Sequence, residues 1–305
     1  VRDAMKTTLS GVEFANPIMT ASGCCGYGEE LAEIFPLSRL GALVTKSITL
    51  EPRLGHPPPR TAETASGMLN AIGLANVGVD AFIRDKMPFL SEQKTGVIVN
   101  VAGASVDEYV EVSRRLNNVD DLDMIELNIS CPNVDRGGME FGSDPYLTQK
   151  VVAEVKKVFD RPIIVKLSPN VTNICDIARA AEAGGADALT VINSLVGTAV
   201  DIETRRPRLT NNKGGLTGPA IKPIALAMVA AVHENCRLPI VGVGGIATWQ
   251  DVVEFMLCGA SAVQIGTALF VEPEAPLKIV SGLKTYLQAR NIKSINDLVG
   301  RLEKY

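Results

Sequence analysis

The stretch ELNISCPNV, residues 126 to 134, runs out of an apolar alternation into Asn128, then Cys131 and Pro132. Packing gives a thiol little to do there, so its chemistry matters. Acyl transfer would need an imidazole base. The two histidines, His56 in a proline-rich loop and His233 near a helix end, are distant in sequence and suit ordinary surface roles. A cysteine acting as a general base needs no such partner. It requires only partial ionisation near its free pKa of about 8.5 and placement against a weakly acidic C–H. The remaining cysteines, at 24, 25, 175, 236 and 258, form no C-x-x-C pair with it or with each other, which excludes zinc and iron–sulfur spacings. Adjacent Cys24 and Cys25 diverge on an extended segment, so reduced thiols are expected rather than a disulfide framework. Cys175, Cys236 and Cys258, on helices or at their ends, read as small buried side chains.

Two lysines, Lys46 and Lys166, each close an apolar run. Singly, each could reach back to solvent. Together at a concave mouth they would be desolvated and call for an anion. Asn100, Asn128 and Asn193 stand at the ends of similar runs, and Asn70 lies in SGMLNAIGLAN. An uncharged amide offers both donors and an acceptor, which suits a flat heterocycle edged with N–H and C=O groups. Finally, VGVGGI and QIGTALF carry the pairs Gly244-Gly245 and Gly266-Thr267. Glycines there allow tight turns, and they also let backbone N–H groups approach a phosphate beside a helix start.

These residues need a frame. Eight short β-branched runs, at 16–22, 42–47, 96–103, 124–130, 162–168, 188–194, 239–245 and 262–268, alternate with patterns of helical period. Ser105-Val106-Asp107-Glu108 reads as a capping box, Asp144-Pro145 as a cap before a first-turn proline, and Thr248 as the cap of a helix that Gly259 ends. Further helices are expected at 172–183, 219–234, 248–258 and 274–290. Apolar strands joined by helical crossovers lie parallel, and eight such units close into a (β/α)8 TIM barrel. An open doubly wound sheet is the alternative, but no G-x-G-x-x-G follows the first run. One domain spanning 1–305 is expected, with chemistry at the C-terminal strand ends and extended loops at 47–80 and 193–218 acting as lids or binding segments.

Composition limits the partners. With 46% hydrophobic residues and 30 Lys+Arg against 34 Asp+Glu, the chain is an ordinary globular sequence of net charge −4. No basic run stands beside aromatics, so nucleic acid is a poor partner. No stretch approaches a membrane span, and VRDAMKTTLSG lacks a signal-peptide pattern, so a cytoplasmic location is expected.

NPIMTASG, TKSITLEPRLGHPPPR, LNAIGLANVG, ELNISCPNV, KLSPNVT, INS, GGLTGPAIKP, VGVGGI and QIGTALF occur in that order, across essentially all 305 residues. The set resembles the dihydroorotate dehydrogenase family. The segment 193–219 and the cysteine make it similar to the class 1B catalytic subunit. The resemblance implies an FMN barrel that oxidises (S)-dihydroorotate to orotate in pyrimidine synthesis, with Cys131 as the base. It implies FMN contacts at Ser22, Lys46, Ser47, Asn100, Asn128, Lys166, Ile192, Gly218, Gly244, Gly245, Gly266 and Thr267. It assigns substrate to Lys46, Asn70, Ala71, Ile72, Gly73, Leu74, Asn128, Asn193 and Ser194.

Class 1B enzymes pass electrons to NAD through a partner subunit with FAD and a [2Fe–2S] cluster. The chain has neither the cluster spacing nor a second nucleotide motif, so that partner is expected to be separate, within a heterotetramer. A serine base and an N-terminal helical extension mark the membrane-bound class, and neither is in the sequence, which argues against quinone as acceptor. The competing readings are a dihydropyrimidine dehydrogenase-type subunit acting on dihydrouracil, a fumarate-linked class 1A homodimer, a flavin- or phosphate-binding module without turnover, and a phosphosugar isomerase or aldolase.

Overall fold

A computed structural model describes residues 3–130, 132–133 and 139–305. Eight parallel strands close into a barrel: β1 (Ile18–Thr20), β2 (Ala42–Val44), β3 (Gly96–Val101), β4 (Met124–Asn128), β5 (Ile163–Leu167), β6 (Ala188–Val191), β7 (Ile240–Val243) and β8 (Ala260–Ile265). Each pairs with its neighbour in sequence, and β8 pairs with β1. The fold class expected from the alternation is therefore the one observed.

Every sequence window overruns its strand. The trailing residues, such as Lys46, Asn193 and Gly245, follow their strands and line the mouth.

The period of two explains why these runs form strands with two buried faces. On β3, Val97, Val99 and Val101 pack outward under the helices, while Ile98 packs inside the barrel with Val44, Met124, Ile164 and Val241. A hairpin the sequence reading did not anticipate, Thr7–Leu9 paired with Val12–Phe14, adds Leu9 and Phe14 to that inner cluster. Burying each such side chain contributes roughly 1.5–3 kcal/mol.

The main helices are α1 (Val106–Asn117), α2 (Pro145–Lys156), α3 (Ile174–Ala183), α4 (Lys222–Asn235), α5 (Trp249–Leu257) and α6 (Ala275–Ala289). Asp144 caps α2 by accepting from the N–H groups of Tyr146 and Leu147. Thr248 and Asp251 form a reciprocal box on α5. At α1 the expected box is incomplete: Ser105 accepts from the Glu108 N–H, but the Glu108 carboxylate takes the Ala104 N–H, one residue earlier than the cap.

The two long loops do not run separately. Leu195–Gly197, Gly214–Thr217, Gly67–Asn70 and Thr61–Thr64 join, in that spatial order, as a four-stranded antiparallel sheet. Residues from three of its strands line the cavity at the mouth, and Asn70 pairs with Gly215 across the sheet. Among the described residues no helix is long and apolar enough to cross a membrane.

Candidate active site at the barrel mouth

The C-terminal strand ends and the four-stranded sheet enclose a cavity of ≈ 1460 Å³. Drug-sized ligand pockets usually span about 300–1,000 Å³, so this one has room for two adjacent ligands. The sequence-expected positions that the structure describes all line it. Ser22 follows β1, Lys46 and Ser47 follow β2, and Asn100, Asn128 and Lys166 belong to β3, β4 and β5. Ile192, Asn193 and Ser194 follow β6, while Gly244, Gly245, Gly266 and Thr267 follow β7 and β8. Gly218 follows one strand of the sheet, Asn70 ends another, and Ala71 to Leu74 continue from it.

Cys131 lies outside the described residues. Its surroundings on either side are placed: Asn193 Nδ2 donates to Ser130 Oγ at 3.0 Å and to Asn128 Oδ1 at 3.2 Å. On the far side, Pro132–Asn133 pairs with Met139–Glu140. Tyr109 holds the end of β4 by donating to the Asn128 carbonyl at 2.6 Å. His56 packs on the loop that follows Asn70, its Nδ1 lying 3.1 Å from the Ala71 carbonyl.

The floor of the mouth is a polar layer that the sequence reading missed. Glu126 is fully buried, and its carboxylate accepts from Asn100 Nδ2 at 2.7 Å, Thr190 Oγ1 at 2.6 Å and Gln264 Nε2 at 2.6 Å. The Lys166 ammonium stands 3.9 Å from the same carboxylate. Among the described residues, Asn100 Oδ1 and Gln264 Oε1 are buried without a partner. A signal was present: Glu126, Thr190 and Gln264 each stand two residues before a mouth residue, in phase with the inward face of an apolar strand.

Cys24 also lines the cavity and was not expected to. Burial pushes its thiol up to about 11, although the nearby Lys166 and Lys46 charges pull the other way. Burial also pulls Lys46 below the ordinary lysine range, and the Arg60 charge adds to this. Gly245, at φ 76, has no room for a side chain, since a Cβ would lie 2.8 Å from the Gly218 carbonyl oxygen. A short helix, Ala268–Val271, begins directly after Thr267.

The arrangement therefore offers the Lys46 and Lys166 cations, an unpartnered acceptor on the lining residue Asn100 and a glycine-lined rim. That chemistry suits a phosphorylated planar heterocycle beside a small anion.

Comparison with known proteins gives a match between residues 4–287 and the model of the family described as dihydroorotate dehydrogenase. A Geobacter sp. (strain M21) protein named dihydroorotate dehydrogenase B (NAD(+)), catalytic subunit, is 51% identical over 302 residues, covering 99% of each chain. Proteins of the same name from Geotalea uraniireducens (strain Rf4) and Alkaliphilus oremlandii (strain OhILAs) are 49% and 50% identical, covering 98% and 99% of each chain.

Proposed function

Because the chain belongs to the dihydroorotate dehydrogenase family, we propose that it oxidises (S)-dihydroorotate to orotate in pyrimidine synthesis, as one FMN-binding domain spanning 1–305. The observation that carries the reading is the single mouth cavity where a desolvated lysine, a floor of unpartnered acceptors and a glycine rim meet. Gly244 and Gly245 after β7 and Gly266 and Thr267 after β8, with Gly218, would hold the FMN phosphate. Ser22, Ser47, Asn100, Asn128, Lys166 and Ile192 would surround the ring. When bound, FMN supplies the acceptor for the hydride leaving substrate C6.

The chain's own residues do the rest. Cys131 removes the C5 proton as general base. Lys46, whose ammonium is costly to bury alone, pairs with the substrate carboxylate, and Lys166 brings positive charge to the polar edge of the ring. Asn70, Asn128 and Asn193 hold the amide edges of the pyrimidine, with Ser194 and the backbone of Ala71 to Leu74 closing its side. Electrons then leave through a separate subunit carrying FAD and [2Fe–2S] to NAD, in a cytoplasmic heterotetramer built on two copies of this chain.

A dihydrouracil substrate would leave Lys46 without its anion, which favours the carboxylated ring. The test is anaerobic addition of each dihydropyrimidine to the FMN-loaded protein. Dihydroorotate should bleach the flavin absorbance and dihydrouracil should not; bleaching by dihydrouracil alone overturns the reading.

A further inference from the structure

Glu126 touches no solvent and is shared by three donors from β3, β6 and β8. A carboxylate only accepts, so each amide that meets it must present its N–H side. Asn100 Nδ2 and Gln264 Nε2 are both used in this way, which turns both amide oxygens elsewhere. Those oxygens, Asn100 Oδ1 and Gln264 Oε1, are the floor's buried acceptors without a partner. A buried acceptor left unmade is costly, so a ligand N–H that reaches it gains affinity.

Asn100 is on the cavity wall, and Lys166, also on that wall, supplies a donor beside the same carboxylate. Building on the FMN reading above, we propose that Glu126 is a positioning residue: it locks Asn100 as an acceptor and thereby makes the floor selective for a ring edge that carries an N–H next to a carbonyl. In the isoalloxazine ring that edge is N3–H with its flanking carbonyl. Glu126 does not contact the ligand. It acts by deciding which end of an amide the ligand meets.

A carboxylate that merely cross-links the barrel would affect all flavins alike. The measurement is therefore a ratio: the flavin-free protein is titrated with FMN and with 3-methyl-FMN, which has no N3–H, following flavin fluorescence. The wild type should bind 3-methyl-FMN about tenfold more weakly or worse. In Glu126→Gln the side chain at 126 can donate as well as accept, Asn100 is free to turn its NH2 outward, and the preference should fall close to one. Equal affinities in the wild type, or a full preference retained in Glu126→Gln, overturn the proposal. Thr190→Val, which removes one donor but keeps the carboxylate and both amides, should retain the preference. It serves if Glu126→Gln does not fold, and loss of the preference in it overturns the proposal too. Failure of the wild type to bind either flavin would instead reject the FMN reading, and this proposal with it.

Discussion

On β3, Ile98 and Asn100 enter the same barrel two residues apart, yet they belong to different environments. Ile98 is part of a closed apolar layer that Leu9 and Phe14 of the N-terminal hairpin complete from below. Asn100 is equally inaccessible but ends in an oxygen without a partner, one layer below the cavity mouth. The lower layer satisfies itself, because every atom that leaves water there is apolar and gains by doing so. The upper layer keeps buried acceptors unpaired and Lys46 desolvated, costs that a bound ligand would offset. Stability and binding should therefore separate along the length of the same strands.

Four substitutions or conditions test that separation. Cys131→Ser should keep the yellow flavin complex and the unfolding midpoint, yet slow flavin reduction by dihydroorotate about 10²–10⁴-fold, the usual range for a lost general base. Because serine ionises far less readily than a thiol, the loss should be greatest near neutral pH; unchanged stopped-flow kinetics would reject the assignment.

Phe14→Ala in the lower layer should do the reverse. Cavity formation there should lower stability by about 3–5 kcal/mol in urea titrations while FMN affinity is maintained. A variant that unfolds normally but loses flavin would show that the two layers are coupled.

Lys46→Met should weaken orotate binding about tenfold, through loss of a charge-assisted contact. Its unfolding midpoint should hold or rise, since a desolvated ammonium has been removed. A falling midpoint would mean that Lys46 contributes to the fold.

The smallest effect concerns alkaline pH. Burial raises the thiols of Cys24 and Cys25 from an ordinary 9.0 to about 11 and about 12. Between 9.0 and those values the unfolded chain releases thiol protons that the folded chain keeps. Their contribution to stability is complete below the lower bound and is lost as pH rises through this window. Cys24→Ser should flatten the fall in urea midpoint above that bound, and a slope equal to wild type would count against burial as the cause.

Much of the frame was legible in the chain itself. Short β-branched runs alternating with helical periods give parallel strands, and eight of them, with no G-x-G-x-x-G after the first, pointed to a closed barrel over an open sheet. Asn128, Lys166 and the glycine pairs were visible because polar residues or glycines at the ends of apolar runs have no packing reason to be there. Capping chemistry was legible at Asp144 and Thr248 for the same local reason. At Glu108 it misled by one residue, because the carboxylate found the Ala104 N–H instead of the cap's.

What remained hidden depended on contacts between distant segments. Thr190 and Gln264 lie 64 and 138 residues from their shared partner Glu126, and a single strand gives no sign of which side chains will meet across a barrel. The same holds for residues 61–70, 195–197 and 214–217, which read as two unrelated long loops and form one sheet.

The sequence by itself determined the repeating frame, its closure and the polar positions at its mouth, because local periodicity and capping act between near neighbours. Only the tertiary structure decided which amide oxygen is left unpaired, which lysine is desolvated and which thiol is buried. Those are properties of burial and of side chains that barrel closure brings together, and no stretch of the chain carries them alone.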